Sequence, residues 1–141
     1  MKKLLLLGGS RYLLPAIQAA HDLGAYVITA DYLPDNLAHP FADEYHNVSI
    51  IDREAVVNLA RELRVDGILS YATDPGVANA AYACEKLGLP TSPYKSVAIL
   101  QNKGLFRQFL SENGFNVPFA KSYTVAADAE NDDTSFETQE M

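Results

Sequence analysis

The stretch from Lys3 to Asp31 constrains this chain more than any other. Four consecutive leucines, Leu4-Leu5-Leu6-Leu7, are followed by Gly8-Gly9-Ser10 and then by an apolar-striped run that ends at Leu23-Gly24. A second apolar run, Tyr26-Val27-Ile28-Thr29-Ala30, stops at Asp31. Leucines without alternation suit a strand buried on both faces, as in a parallel sheet. The glycines allow a sharp turn and a close approach above the strand's end. Leu13, Ala16, Ile17, Ala20 and Leu23 fall on one helical stripe. Pro15 has to lie in the first turn, where its missing N–H is no loss, so the helix is expected to begin near Leu13. Gly24 then stands just past its end. The expected unit is strand, glycine turn, helix, strand, with a right-handed crossover.

The same alternation continues. Residues 32–40 form a polar, proline-punctuated loop, expected to be a surface excursion. His46-Asn47-Val48-Ser49-Ile50 reads as a third strand. Asp52 reads as the N-cap of a helix with Val56, Leu59, Ala60 and Leu63 on one face. Gly67-Ile68-Leu69-Ser70 reads as a fourth strand. Asp74-Pro75 reads as an N-cap followed by proline at the first helical position. The helix behind it carries Val77, Ala80, Ala81, Cys84 and Leu87 on its inner stripe. Ser92-Pro93 opens a short helix through Val97 and Leu100. Asn102 caps another over Lys103 to Asn113, with Phe106, Phe109 and Leu110 inward. Phe115-Asn116-Val117-Pro118 begins an extended segment. The acidic stretch from Ala126 lacks periodicity and is expected to be disordered.

Strands alternating with helices predict an α/β fold, a Rossmann-like open parallel sheet. Ligands gather beyond the carboxyl ends of such strands. Those ends carry Gly8-Gly9-Ser10-Arg11, Asp31-Tyr32 and Tyr71-Ala72-Thr73-Asp74.

Charge narrows the partners. All 11 basic residues and 12 of the 18 acidic ones lie in residues 1–121, so this part is nearly neutral. The other six acids follow Lys121, and the net charge is −7. No basic patch offers itself to nucleic acid. No run of about 18 apolar residues offers a membrane span. The apolar start is too short for a signal peptide and lacks a cleavage pattern, and the lone Cys84 builds no disulfide framework. The expectation is a cytoplasmic protein.

Individual residues say less. Gly8, Ser10 and Leu13 break the G-x-G-x-x-G dinucleotide fingerprint, although Asp31 stands where an acid would meet a ribose. A tight turn and a solvated acid are the plainer reading than NAD binding. His21, His39 and His46 lack metal-ligand spacing and read as surface histidines. Cys84 reads as a buried small hydrophobe. Ser10 lacks the G-x-S-x-G elbow. Lys103 is less ordinary, because a cation in a helix's first turn opposes the dipole and a bound anion would reverse that cost. By itself, a solvated surface lysine remains the simpler account.

The run from Ser92-Pro93 through Gln101-Asn102-Lys103-Gly104-Leu105-Phe106 to Gly114-Phe115-Asn116-Val117-Pro118 resembles the opening of the ATP-grasp fold. There an Asp-Lys pair begins a helix, and a glycine and a proline lead into the first strand of the nucleotide-binding domain. Upstream, Leu4–Gly9, Leu23-Gly24, Asp31, Ala42-Asp43, Asp52, Asp66-Gly67-Ile68 and Leu87-Gly88-Leu89-Pro90 resemble the N-terminal, pre-ATP-grasp domain. The closest look is to carbamoyl-phosphate synthase large-subunit-like and other carboxylate–amine ligases. The resemblance covers residues 3–124, and Asn102 replaces the usual Asp.

That resemblance implies three segments. Residues 1–92 form the pre-ATP-grasp domain. Residues 93–125 form linker helices and the first strand of a truncated ATP-grasp domain, and residues 126–141 an acidic tail. It implies an ATP-dependent ligase as the parent, with ATP and Mg2+ as cofactors and an acyl-phosphate intermediate. Lys103 would contact ATP phosphates. Gly8, Gly9, Ser10, Arg11, Thr73 and Asp74 would face a small carboxylate or amine substrate. The second ATP lysine, the glycine-rich lid and the Glu/Glu/Asn magnesium ligands of that family have no counterpart here. The expectation is therefore an inactive N-terminal fragment, with a homo-oligomer allowed. A stand-alone Rossmann-like binding module and an NAD-dependent fragment are the alternatives.

Overall fold

In the computed structural model the described residues are 1–132. Four strands form one parallel sheet: β1 (Lys3–Leu7), β2 (Tyr26–Asp31), β3 (Glu44–Asn47) and β4 (Gly67–Leu69), in the order β3-β2-β1-β4. In register, Leu5 lies beside Ile28 on one side and Ile68 on the other. Helix α1 (Leu14–Asp22) follows a 3-10 turn at Arg11–Leu13, with Pro15 in its first turn as expected. Helices α2 (Arg53–Leu63), α3 (Asp74–Leu87) and α4 (Tyr94–Gln101) follow β3 and β4. The chain divides into two compact units, Met1–Gln101 and the part from Asn102 onward.

The leucine run does what its lack of alternation implied. Leu5, Leu6 and Leu7 are all fully buried. Leu5 and Leu7 join Ile28, Val56, Val57, Ala60, Ala80 and Ala83 in a core under α2 and α3. Leu6 joins Leu13, Ile17, Ala20, Val27 and Ala38 in a second core, under α1 and the β2–β3 connection. That connection has no α-helix, only a 3-10 turn at His39–Phe41. It returns the chain across the sheet face, and Ala38 and His39 are buried there.

The second unit holds α5 (Lys103–Glu112) and a single helical turn, α6 (Ala126–Glu130). The Asn102 side chain caps α5 as expected, its Oδ1 accepting the Leu105 N–H at 3.1 Å.

Several expectations need correction. Leu23 is 87% exposed, not part of the inner stripe. It is the C-cap of α1, where the chain has already turned away from the sheet. The third strand is Glu44–Asn47, two residues earlier than the apolar pattern of residues 46–50 suggested. Asp43 sets that register: its N–H donates to the Val27 carbonyl at 2.9 Å, and its Oδ2 accepts the Val27 N–H at 2.7 Å. The N-cap of α3 is Thr73 rather than Asp74, with Asp74 and Pro75 in the first turn. His39 is buried, not on the surface. No residue of α5 is buried, and Phe109 is exposed rather than inward. Within its unit α5 shares a groove with the irregular segment 117–124, which is too little to make a second layer. Residues 115–123 form no strand. Residues 126–130 are helical rather than disordered; residues 133–141 of the acidic stretch lie outside the described residues.

Two predictions arise here. The Val27 N–H bonded to Asp43, and the His21 imidazole 2.9 Å away, hold the Asp43 carboxyl below its ordinary value of 3.8. A carboxyl depressed on folding stabilises the native state above its unfolded value, and that contribution is lost as pH falls through the lower folded value. Asp43→Asn should therefore be less stable than wild type above about pH 4, with the two converging at lower pH. Urea midpoints measured from pH 3 to 7 would check it. Cys84 is 1% exposed, and burial pushes its thiol up. It should react with a disulfide reagent only at the rate of unfolding at neutral pH, and at once in denaturant.

Candidate functional site

The strand order places a topological switch between β1 and β4. From β1 the chain crosses to β2 on one side, and β4 returns on the other. The two loops that leave the carboxyl ends of these strands therefore splay apart and leave a crevice. An open cleft of about 530 Å3 lies there. It is lined by Gly8, Gly9, Ser10 and Tyr12 from the first loop, Asp31 from the end of β2, and Ala72, Thr73, Asp74 and Pro75 from the second loop.

The first loop needs its glycines. Gly8 has φ +117°, a conformation that side chains disfavour, and its N–H donates to the Ala30 carbonyl at 2.8 Å. Gly9 lies against the buried His39 ring; a Cβ there would sit 2.3 Å from His39 Cε1 and 2.7 Å from Asn36 Cβ. The Ala38 N–H donates to the Gly9 carbonyl at 2.9 Å. Ser10 precedes the 3-10 turn without capping it through its side chain.

The second loop is held by its own hydroxyls. Ser70 Oγ donates to the Thr73 carbonyl at 2.6 Å, and Thr73 Oγ1 donates to the Tyr71 carbonyl at 3.2 Å. Ala72 between them has φ +52°, a left-handed conformation costly for a residue with a Cβ. Gly76, in the first turns of α3, lets that helix approach β1, since a Cβ there would stand 3.3 Å from Leu7 Cβ.

The cleft is electrostatically mixed. Among the described residues the Gly9, Ser10 and Thr73 N–H groups have no intrachain acceptor. With the first turn of α3 they favour an anionic group. Asp31 is 7% exposed; its carboxylate accepts from Asn36 Nδ2 at 2.8 Å and from the Leu33 N–H at 3.3 Å. Asp31 and the exposed Asp74 favour a cationic group. No lysine, arginine or histidine lines the cleft. Among the described residues no hydrogen bond joins the Ser10 or Thr73 hydroxyl to Asp31 or Asp74.

Of the residues singled out from sequence, Gly8, Gly9, Ser10, Thr73 and Asp74 come together around this one cleft. Arg11 lies outside the lining, exposed, with its guanidinium 5.0 Å from the centre of the Tyr12 ring. Lys103 belongs to the second unit. It is exposed at the start of α5 and absent from the lining of that unit's own groove of about 880 Å3, which includes Asn102, Gly104 and Phe119. Tyr12 and His39 were missed as contributors. Tyr12 lay one residue beyond the marked turn. Ala72 stood in a marked run, but its left-handed backbone, like the burial of His39, carried no sequence signal, because both arise from tertiary contacts.

Among the described residues no three His, Cys, Asp or Glu side chains gather closely enough to hold a metal ion. No helix among them is long and apolar enough to cross a membrane.

Comparison with known proteins agrees with this architecture. No protein of curated function matches the sequence. Among solved structures, L-amino acid ligase from Bacillus licheniformis is 26% identical, with a TM-score of 0.73 over 91% of this chain and 34% of that one. Phosphoribosylglycinamide synthetase from Anaerococcus prevotii is 24% identical, with a TM-score of 0.72 over 79% of this chain and 28% of that one. N5-carboxyaminoimidazole synthetase from Staphylococcus aureus, solved with ADP, is 22% identical, with a TM-score of 0.71 over 92% and 34%. This chain thus spans about a third of the length of the structures it matches. The family model described as the ATP-grasp N-terminal domain matches residues 17–91, just over half of the sequence. The chain belongs to the ATP-grasp N-terminal domain family.

Proposed function

We propose that this chain is the substrate-side part of an ATP-dependent carboxylate–amine ligase, and that the cleft between β1 and β4 receives a small substrate carrying carboxylate and amine groups. The observation that carries this reading is the convergence of Gly8, Gly9, Ser10, Thr73 and Asp74 on one cleft at the topological switch. Free N–H groups suit a carboxylate, and Asp31 and Asp74 suit an ammonium. In the parent reaction ATP supplies the activating phosphoryl group: a substrate carboxylate oxygen bonds to the γ-phosphorus and ADP leaves. The amine then attacks the acyl carbon, inorganic phosphate leaves and a proton is released, forming a C–N bond. The residues of this chain would hold and orient the substrate through these steps. A cytoplasmic location accords with the single buried thiol.

The chain alone should show neither ATPase nor ligase activity. An exposed lysine such as Lys103 contributes about 1 kcal/mol or less to an ionic contact, whereas micromolar affinity needs about 8 kcal/mol. Calorimetric detection of micromolar ATP binding to the chain would overturn this. In the full-length parent, Lys103→Ala should weaken ATP binding about tenfold to a hundredfold, the cost of losing a charge-assisted contact to phosphate. Lys95→Ala, on α4, should change it little. Equal ATP affinity in wild type and both variants would remove Lys103 from the ATP site.

The cleft assignment is tested by amide NMR of the 141-residue chain, titrated with small amino acids, simple carboxylates and amines, and separately with NADH. Shifts confined to Gly9, Ser10, Thr73 and Asp74 on adding a compound with carboxylate and amine groups support the reading. Saturable shifts there with NADH alone would replace it with a dinucleotide module.

A further inference from the structure

We infer that His39, which does not itself line the cleft, is its positioning residue, setting both the Gly9 backbone and the Asp31 carboxylate. This rests on reading the cleft as the substrate site. The ring is buried, and both of its nitrogens are engaged. Nε2 stands 3.0 Å from the Leu33 carbonyl, which can only accept, so Nε2 carries the proton. Nδ1, 2.9 Å from Thr29 Oγ1, then accepts the threonine hydroxyl, whose other acceptor, the Glu44 carbonyl, stands farther off at 3.5 Å. The imidazole is thereby fixed in one tautomer and one orientation.

From that position it reaches two lining groups. Gly9 lies directly on the ring, within the distance at which even a methyl group would overlap. The adjoining Ala38 N–H holds the Gly9 carbonyl, so ring and backbone grip the glycine together. Asp31 is reached by two routes. Leu33, whose carbonyl takes the His39 proton, gives its own N–H to Asp31 Oδ1. The His39 ring also stacks on Tyr45, with centroids 4.0 Å apart, and the Tyr45 hydroxyl donates to the Asp31 carbonyl at 3.0 Å. Any buried imidazole must satisfy both of its nitrogens; what sets His39 apart is that the groups around it lead to the cleft lining. Here they tie together the Gly9 backbone and Asp31, two lining groups of opposite electrostatic character.

The test separates positioning from stability. In the labelled 141-residue chain, His39→Ala should move the Gly9, Ser10 and Leu33 amide resonances and the Asp31 carboxyl-carbon resonance. His39→Gln, which keeps an N–H donor for Leu33, should restore the Leu33 signal and part of the Asp31 shift. Val57→Ala, in the core on the other sheet face, should lower stability while leaving these resonances in place. If His39→Ala destabilises the chain while the Gly9 and Asp31 signals stay at their wild-type positions, His39 is a core residue and the inference fails. Should that variant not fold, the wild-type imidazole decides: a ring protonated at Nδ1 alone overturns the inference, and one protonated at Nε2 alone supports it. None of these readouts uses a ligand. Failure of the cleft to bind amino acids would therefore defeat the functional reading while leaving the geometry of His39 standing.

Discussion

Leu5→Ala should destabilise the first unit by about 2–5 kcal/mol. Leu5 is fully buried in the middle of β1, paired in register with Ile28 and Ile68, and packed beneath α2 and α3. Truncation removes the transfer energy of the lost carbons and leaves a cavity that a parallel sheet, hydrogen-bonded on both sides, cannot collapse into. Many domains have only about 5–15 kcal/mol in total, so a large share of the stability goes with one side chain. Leu6→Ala should cost a similar amount through the other sheet face. Leu23→Ala should be close to neutral, because Leu23 lies almost wholly in solvent. Urea unfolding followed by circular dichroism compares the three. A Leu23→Ala variant as damaged as Leu5→Ala would mean that α1 ends differently from the structure described.

Gly9→Ala should cost about 3 kcal/mol, at the upper end for an added methyl in a packed site. The new Cβ would meet His39 Cε1, Nε2 and Asn36 Cβ, all closer than 3 Å. The imidazole cannot swing aside without breaking its bonds to Thr29 and Leu33, and Asn36 is tied to Asp31. Gly24 is the comparison. Unlike Gly9, it needs a left-handed backbone, at φ +73°, but a Cβ there meets nothing within 4 Å. Gly24→Ala should cost only the backbone strain, about 1–2 kcal/mol. Thermal or urea unfolding of both variants tests the ranking. A Gly9→Ala variant as stable as wild type would mean that the β2–β3 connection does not press on the glycine turn.

The parts of the fold legible from sequence were those with local causes. The β1 turn, α1 with Pro15 in its first turn, α2 with its Asp52 cap and α5 with its Asn102 cap follow from short-range chemistry. Each rests on residues within about a turn of one another. The elements misplaced were those that answer to distant partners. The β3 register follows Asp43 and Val27, sixteen positions apart in sequence, and not the apolar spacing of residues 46–50. The burial of His39 depends on Thr29, Leu33 and Gly9, and nothing in the local residues of a polar loop announces it.

For the candidate site the division is similar. The sequence by itself determined an α/β chain with its glycine turn and polar loops at the carboxyl ends of strands, because hydrophobic period and capping residues act locally. It also carried enough of the family pattern to mark Gly8, Gly9, Ser10, Thr73 and Asp74. Only the tertiary structure decided that these residues surround one cleft. That depends on β4 pairing with β1 rather than with β3, a choice made by sheet packing across more than sixty residues of chain. It likewise decided that Asp31 would be held by Asn36 and backed by the His39–Tyr45 stack, since hydrogen-bond partners and buried contacts exist only once distant segments have met.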